Sequence, residues 1–173
     1  MPRLVLIRHA KAAWPDHVND IDRPLAARGV ADCAVVADEL ARRSIDIDYA
    51  AVSVATRTQQ TWELIATKLA KTPTVTTFTS LYEASVGSIL SVINTFNVET
   101  LAVVGHAPGM PRTAFALHNG EQNTHLSQLS LKFPTLGIAV LESDKPFSEW
   151  EPGSAELVDF FIPRANPNSH DND

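Results

Sequence analysis

Two arginines and two histidines stand at the ends of three apolar runs, and together they can build a pocket for an oxyanion. The first run, Leu4 to Ile7, leads into Arg8-His9, and the second, Tyr49 to Val54, leads through Ala55-Thr56 to Arg57. The third, Leu101 to Val104, ends in Gly105-His106-Ala107-Pro108-Gly109. An imidazole can attack phosphorus, and a guanidinium beside it can hold two oxygens of the group under attack. Ligands of open α/β sheets sit outside the carboxyl ends of the strands, so three adjacent strand ends would bring these side chains to one point. Taken singly, Arg57 reads as a surface residue at a helix start and His106 as a satisfied loop histidine. As a set in three matching positions, they read as a phosphate pocket.

The rest of the chain must position that set. Pro2 to Arg8 predicts a strand, and Ala13 to Arg23 a polar loop folded over its end. Pro24 can open a helix, where its missing N–H costs nothing, and Ala31, Val35, Val36, Leu40 and Ala41 recur at helical spacing to about Arg43. A helix from about Thr58 to Lys71, a β-branched strand Thr74 to Phe78 and a helix Val86 to Phe96 follow. A further helix opens at Pro108 or Pro111 and runs to about His118. After a polar stretch, Leu136 to Leu141 and Leu157 to Phe161 read as late strands. Strands alternating with helices predict an α/β sheet, largely parallel, with the late strands as possible antiparallel edges. Residues 1–163 form one expected domain, and 164–173, which include His170, a polar and frayed tail.

Composition narrows the function. The chain has 173 residues, 45% hydrophobic and 20% charged, as expected for one globular domain. A formal charge of −6 argues against nucleic acid or anionic membrane as a partner, so any anion site must be built locally from a few cations. No apolar run approaches the roughly 20 residues of a membrane helix. Arg8, His9 and Lys11 interrupt any secretory pattern, and a cytoplasmic protein is the expectation. Cys33 is the only cysteine, which leaves no intrachain disulfide and no thiolate cluster. Its Ala/Val-rich surroundings predict a buried small hydrophobe.

At these residues the chain resembles the histidine phosphatase superfamily, the phosphoglycerate mutase-like proteins, and within it the short phosphohistidine-phosphatase branch called SixA. Leu6-Ile7-Arg8-His9-Ala10-Lys11 is similar to that branch's form of the superfamily signature, with Ala10 where many relatives have glycine. Arg23-Pro24-Leu25-Ala26-Ala27-Arg28-Gly29 resembles its second motif. Ser53-Val54-Ala55-Thr56-Arg57-Thr58-Gln59-Gln60-Thr61 resembles the pattern Ser-x-Ala-x-Arg-Thr-x-Gln-Thr. Val103 to Gly109 resembles Val-Gly-His-Asn-Pro-Gly, with Ala107 in place of the usual Asn, and Phe133-Pro134-Thr135 before a strand is typical of the short branch. The resemblance implies a three-layer α/β/α sandwich around a mostly parallel sheet. It implies no cap insertion either, because only about two dozen residues separate Glu83 from His106.

The resemblance also implies a covalent mechanism without metal or cofactor. His9 would attack phosphorus as a neutral imidazole, and Arg8, Arg57 and His106 would hold the non-bridging oxygens. Flanking arginines disfavour a bound cation at the two histidines. Glu83 falls where many superfamily members carry a general-acid glutamate, or it is a surface carboxylate. Arg23 orients substrate or pairs with Asp20 or Asp22. Lys11 adds positive potential at the rim, and Trp14 lines the pocket or simply packs. His17, His118 and His125 read as solvated or structural.

An uncapped chain implies an open site, suited to a phosphorylated side chain of another protein, with phosphohistidine favoured. The alternatives are a small-molecule phosphomonoesterase for sugar or aryl phosphates and, in another class, a phosphate-binding module without turnover. A mutase would need a closed site that excludes water, and this chain has little material to build one.

Overall fold

The computed structural model describes residues 1–167. Strands β1 (Arg3–Arg8), β2 (Tyr49–Ser53), β3 (Thr74–Phe78), β4 (Thr100–Gly105), β5 (Ile138–Glu142) and β6 (Glu156–Phe161) form one six-stranded sheet in the order β3-β2-β4-β1-β5-β6. The first four run parallel, while β5 is antiparallel to β1 and β6 to β5. The late strands are therefore antiparallel, but only β6 is an edge.

Both faces of the sheet are covered, which is why its central strands read as continuous apolar runs. Leu4, Leu6, Leu101 and Val103 face one core with α4 (Val86–Ile93), α5 (Gly109–Leu117) and α6 (Thr124–Leu131), through Ile89, Met110 and Leu129 among others. Val5, Ile7, Ala102 and Val104 face the other with α1 (Ala27–Cys33), α2 (Val36–Arg42) and α3 (Thr56–Ala66), through Cys33, Leu40, Trp62 and Ile65. This is the three-layer α/β/α arrangement. Between Glu83 and His106 there is room only for α4 and β4, and no cap. No helix of the described residues is long and apolar enough to cross a membrane.

Several boundaries differ from the sequence reading. Pro24 does not open a helix: Leu25 bridges to Ala12 and the Ala26 N–H reaches Lys11 O at 2.9 Å, so α1 starts only at Ala27. The expected single helix to Arg43 breaks at Ala34–Val35, where the N–H groups bond three residues back, to Ala31 O and Asp32 O. Gly29 lets α1 press on the loop after His9, since a Cβ there would lie 2.2 Å from Lys11 O. Helix α3 starts before Thr58 and ends well short of Lys71, and α4 ends before Phe96, which packs as a loop residue against the core. Helix α6 was not expected. Its N-cap is Asn123, whose side chain accepts the Leu126 N–H at 2.8 Å, and Leu129 anchors it.

The expected tail does not fray at its first residues. The Arg164 guanidinium donates to Thr135 O at 3.0 Å, and the Ala165 N–H to the buried Asp32 carboxylate at 2.9 Å. His170 lies outside the described residues.

Candidate active site

Strand β4 lies between β1 and β2, and its register pairs Arg8 with Gly105. The residues that follow these strands therefore leave the same edge of the sheet side by side. His9 and His106 stand with ring centroids 5.5 Å apart. A cavity of about 240 Å³ opens there, lined by Arg8, His9, Lys11, Arg23, Arg57 and His106, with Trp14 and Thr135 on its walls. Six of the seven residues singled out from the sequence thus share one pocket. Glu83 is the exception. It lines a larger adjoining cavity of about 520 Å³, which shares Arg57 and His106 with the first and includes Asp20 and Arg112.

His9 is 8% exposed, and its Nδ1 lies 2.7 Å from Ala10 O. A carbonyl only accepts, so Nδ1 carries the proton and Nε2 keeps the lone pair. Burial pushes the imidazole pKa down to about 3; the Ala10 bond opposes this, while His106, Arg8 and Arg57 add to it. At neutral pH the ring is an uncharged base beside cations.

Arg8 is held from the far side of the sheet. Its Nη1 donates to Phe133 O at 3.1 Å, and the Leu136 N–H reaches both Arg8 O and His9 O. Leu136 takes a φ of 58° to do so, and β5 consequently starts two residues later than its apolar run. The Phe133-Pro134-Thr135 segment therefore braces the Arg8-His9 pair.

The segment from Ser53 to Thr61 ties the pocket together through its side chains. Thr61 Oγ1 accepts the Ala10 N–H at 3.0 Å, Gln60 accepts the Leu25 N–H at 2.8 Å, and Thr58 Oγ1 donates to Ser53 O. Arg57 sits in the first turn of α3 and is 6% exposed, which overturns its reading as a surface residue. His106 is 9% exposed and keeps Nε2 on Ser53 Oγ at 2.8 Å. Burial lowers its pKa to about 4, with Arg57 and Arg8 adding to the effect against Asp20. Arg57 Nε and His106 Nδ1 are both buried without a hydrogen-bond partner among the described residues. Both nitrogens can donate, and both belong to residues that line the cavity.

Asp20 is a member of this site that the sequence reading credited only as a partner for Arg23. Its backbone oxygen accepts from Arg57 Nη1 at 2.7 Å and its Oδ2 from Nη2 at 3.1 Å. The same Oδ2 accepts from the Tyr82 hydroxyl, and Oδ1 from Arg23 Nη1 at 3.2 Å. The Tyr82 bond, then those of Arg57 and Arg23, hold its carboxyl down at about 2. Asp20 is anionic and is no general acid near neutral pH. The chain around it gives no local motif; only the folded loop brings it to Arg57.

Arg23 does pair with Asp20 and still lines the pocket, donating Nε to Ala13 O at 3.0 Å with its guanidinium 3.2 Å from the Trp14 ring centroid. Trp14 is 76% exposed and so forms rim rather than core. Glu83 adopts a φ of 51°, a left-handed conformation uncommon for a side chain of this kind. His17 is exposed, and His118 is structural: its Nδ1 accepts the Leu157 N–H and its Nε2 faces Glu121 O. Burial raises the Cys33 thiol to about 12. Among the described residues, no three His, Cys, Asp or Glu side chains come together as metal ligands.

The sequence pattern of the histidine phosphatase superfamily (branch 1) matches residues 4–94. The chain belongs to this superfamily. It is 38% identical over 162 residues to an uncharacterized protein of Mycobacterium tuberculosis, covering 91% of this chain and 100% of that one. Among solved structures it is similar to the presumed phosphohistidine phosphatases SixA of Agrobacterium tumefaciens and Nakamurella multipartita. The first is 32% identical with a TM-score of 0.79, covering 94% of this chain and 99% of that one. The second is 28% identical with a TM-score of 0.82, covering 94% and 96%. A histidine phosphatase superfamily chain with these neighbours is supported as a phosphatase.

Proposed function

We propose that the protein is a metal-independent phosphatase that works through a phosphohistidine intermediate on His9, with phosphohistidine of another protein as substrate. The observation that carries the covalent step is the state of His9: neutral, its Nδ1–H held by Ala10 O, its Nε2 lone pair left for the pocket. In the first step Nε2 bonds to phosphorus and the P–N bond of the substrate breaks, the departing imidazole taking a proton from solvent. In the second, water attacks the phosphorus, inorganic phosphate leaves, and His9 returns with its lone pair. Arg8, Arg57 and His106 hold the non-bridging oxygens, where charge accumulates in both steps. Lys11 and Arg23 add positive potential at the mouth.

The substrate reading is supported by the absence of a cap and by the exposed rim at Trp14, which leave the pocket open to a side chain presented on a protein surface. It is also supported by similarity to the two presumed SixA phosphohistidine phosphatases. A second reading has its own observation: the 520 Å³ cavity beside the pocket, with Glu83 on its wall, has space for the leaving group of a small phosphate ester. The deciding experiment compares kcat/KM for a phosphohistidine protein with a panel of sugar and aryl phosphates, with and without a chelator. Preference for the phosphoprotein by orders of magnitude supports the first reading, and preference for one ester the second. Inhibition by the chelator would overturn the metal-free scheme.

A further inference from the structure

Neutral His106 has one proton to share between two ring nitrogens, and only one arrangement lets it serve an anion. Its Nε2 faces Ser53 Oγ at 2.8 Å, and its Nδ1 is buried without a partner among the described residues. We infer that Ser53 is a positioning residue that donates its hydroxyl proton to His106 Nε2, fixing the ring with its N–H on Nδ1 for the phosphoryl oxygens. The inference rests on reading this pocket as a phosphoryl site.

The argument is one of donors and acceptors. A serine hydroxyl has one proton to give and two acceptor positions. Ser53 is fully buried, and its Oγ already faces one donor, the Ala55 N–H at 3.5 Å. Suppose instead that Nε2 held the ring proton. The Ser53 hydroxyl would then accept twice, and its own proton would have no acceptor among the described residues, with the side chain itself shielded from solvent. Nδ1 would also turn a lone pair toward the phosphate it is meant to hold. Both are costly in a buried polar site. With the hydroxyl donating to Nε2, the Ser53 proton and the Nε2 lone pair satisfy each other, and Nδ1–H is left as the donor for the phosphoryl oxygens.

The need for Ser53 follows from the charge state. A protonated imidazole would present N–H on both sides without help, but His106 is neutral down to about pH 4. Held in this tautomer, the ring offers the pocket a donor and no lone pair. It stabilises charge on the phosphoryl oxygens and cannot accept the proton of the attacking water.

The test reads the tautomer directly. In protein carrying ¹⁵N-labelled histidine, a long-range ¹H–¹⁵N correlation near neutral pH should show His106 protonated on Nδ1 and bare on Nε2. Added inorganic phosphate should move the Nδ1 signal. Ser53→Ala should shift the proton toward Nε2 and lower kcat/KM for an aryl phosphate by about 10²-fold, as for a lost oxyanion donor. Ser53→Thr, which keeps a hydroxyl, should restore both, and thermal melting of each variant separates these effects from unfolding. A proton on Nε2 in the unsubstituted protein, or full activity in Ser53→Ala, would overturn the inference. If the tautomer is as inferred but phosphate leaves His106 unmoved, the phosphoryl reading of the pocket fails instead.

Discussion

Arg57 gives both terminal nitrogens to one residue, Asp20: Nη1 to its backbone oxygen at 2.7 Å and Nη2 to its carboxylate at 3.1 Å. A guanidinium has five N–H donors, and this grip occupies the end formed by the two terminal nitrogens. The side edge, Nε with the second Nη2 proton, is left over, and under the proposed function it would grip two phosphoryl oxygens. Asp20 thereby aims Arg57. Asp20→Ala should lower kcat/KM by about tenfold, in the range of a lost hydrogen bond to a charged group. Were Asp20 only an anion standing in the place of phosphate, the same substitution would tighten phosphate inhibition instead. Steady-state kinetics with phosphate as inhibitor tells the two apart.

His9→Ala and Arg57→Ala should fail differently. Without His9 no covalent intermediate can form, so turnover should vanish while phosphate still binds the remaining cations. Without Arg57 the intermediate still forms, but slowly, with a loss of about 10²–10³ in rate. Trapping the phosphoenzyme by an alkaline denaturing quench, since its P–N bond is lost in acid, reads this difference: absent in the first variant, present in the second. Wild-type turnover by His9→Ala would exclude the covalent scheme.

Much of this site was legible in the sequence because its strands announce themselves. Leu4 to Ile7 and Leu101 to Val104 are buried on both faces, so their apolar runs mark central parallel strands and their ends mark the site. Glu83, by contrast, could be placed near the site but not inside the His9 pocket, because its position depends on the turn after β3 rather than on a strand end. Asp20 was hidden for a related reason: its contacts with Arg57 and Tyr82 span 37 and 62 residues and leave no periodic trace. Helix α6 escaped because only Leu126 and Leu129 of its turns pack inward, too few for a clear 3.6-residue stripe. The helix expected from Pro24 broke at Ala34–Val35 although its apolar spacing continued, since spacing reports a buried face and not an unbroken hydrogen-bond ladder.

The two buried imidazoles set the acid limb of stability. Their folded pKa values, about 3 for His9 and about 4 for His106, lie below the usual 6.5. Between those values the unfolded chain binds more protons than the folded one, so stability rises with pH there. It is complete above about 6.5 and is lost as pH falls toward 4 and 3. Denaturant midpoints from pH 7 to pH 4 should therefore fall more steeply in the unsubstituted protein than in His9→Asn or His106→Asn. Equal slopes would mean that the imidazoles titrate normally and that His9 is not held neutral by its surroundings.

Glu83 decides between the two classes of substrate. Glu83 lines the larger cavity, beside rather than within the His9 pocket, and under the ester reading the leaving group would occupy that cavity. An alkoxide needs a proton as its bond to phosphorus breaks, whereas the imidazole of a phosphohistidine can take one from solvent. Glu83→Gln should therefore cost an alkyl phosphate about 10²–10⁴ in rate, the usual span of general acid catalysis, and phosphohistidine little. Equal losses on both substrates would instead assign the Glu83 carboxylate a structural task. A loss confined to the ester would show an acid in place for ester hydrolysis, and the small-molecule reading would gain the residue it requires.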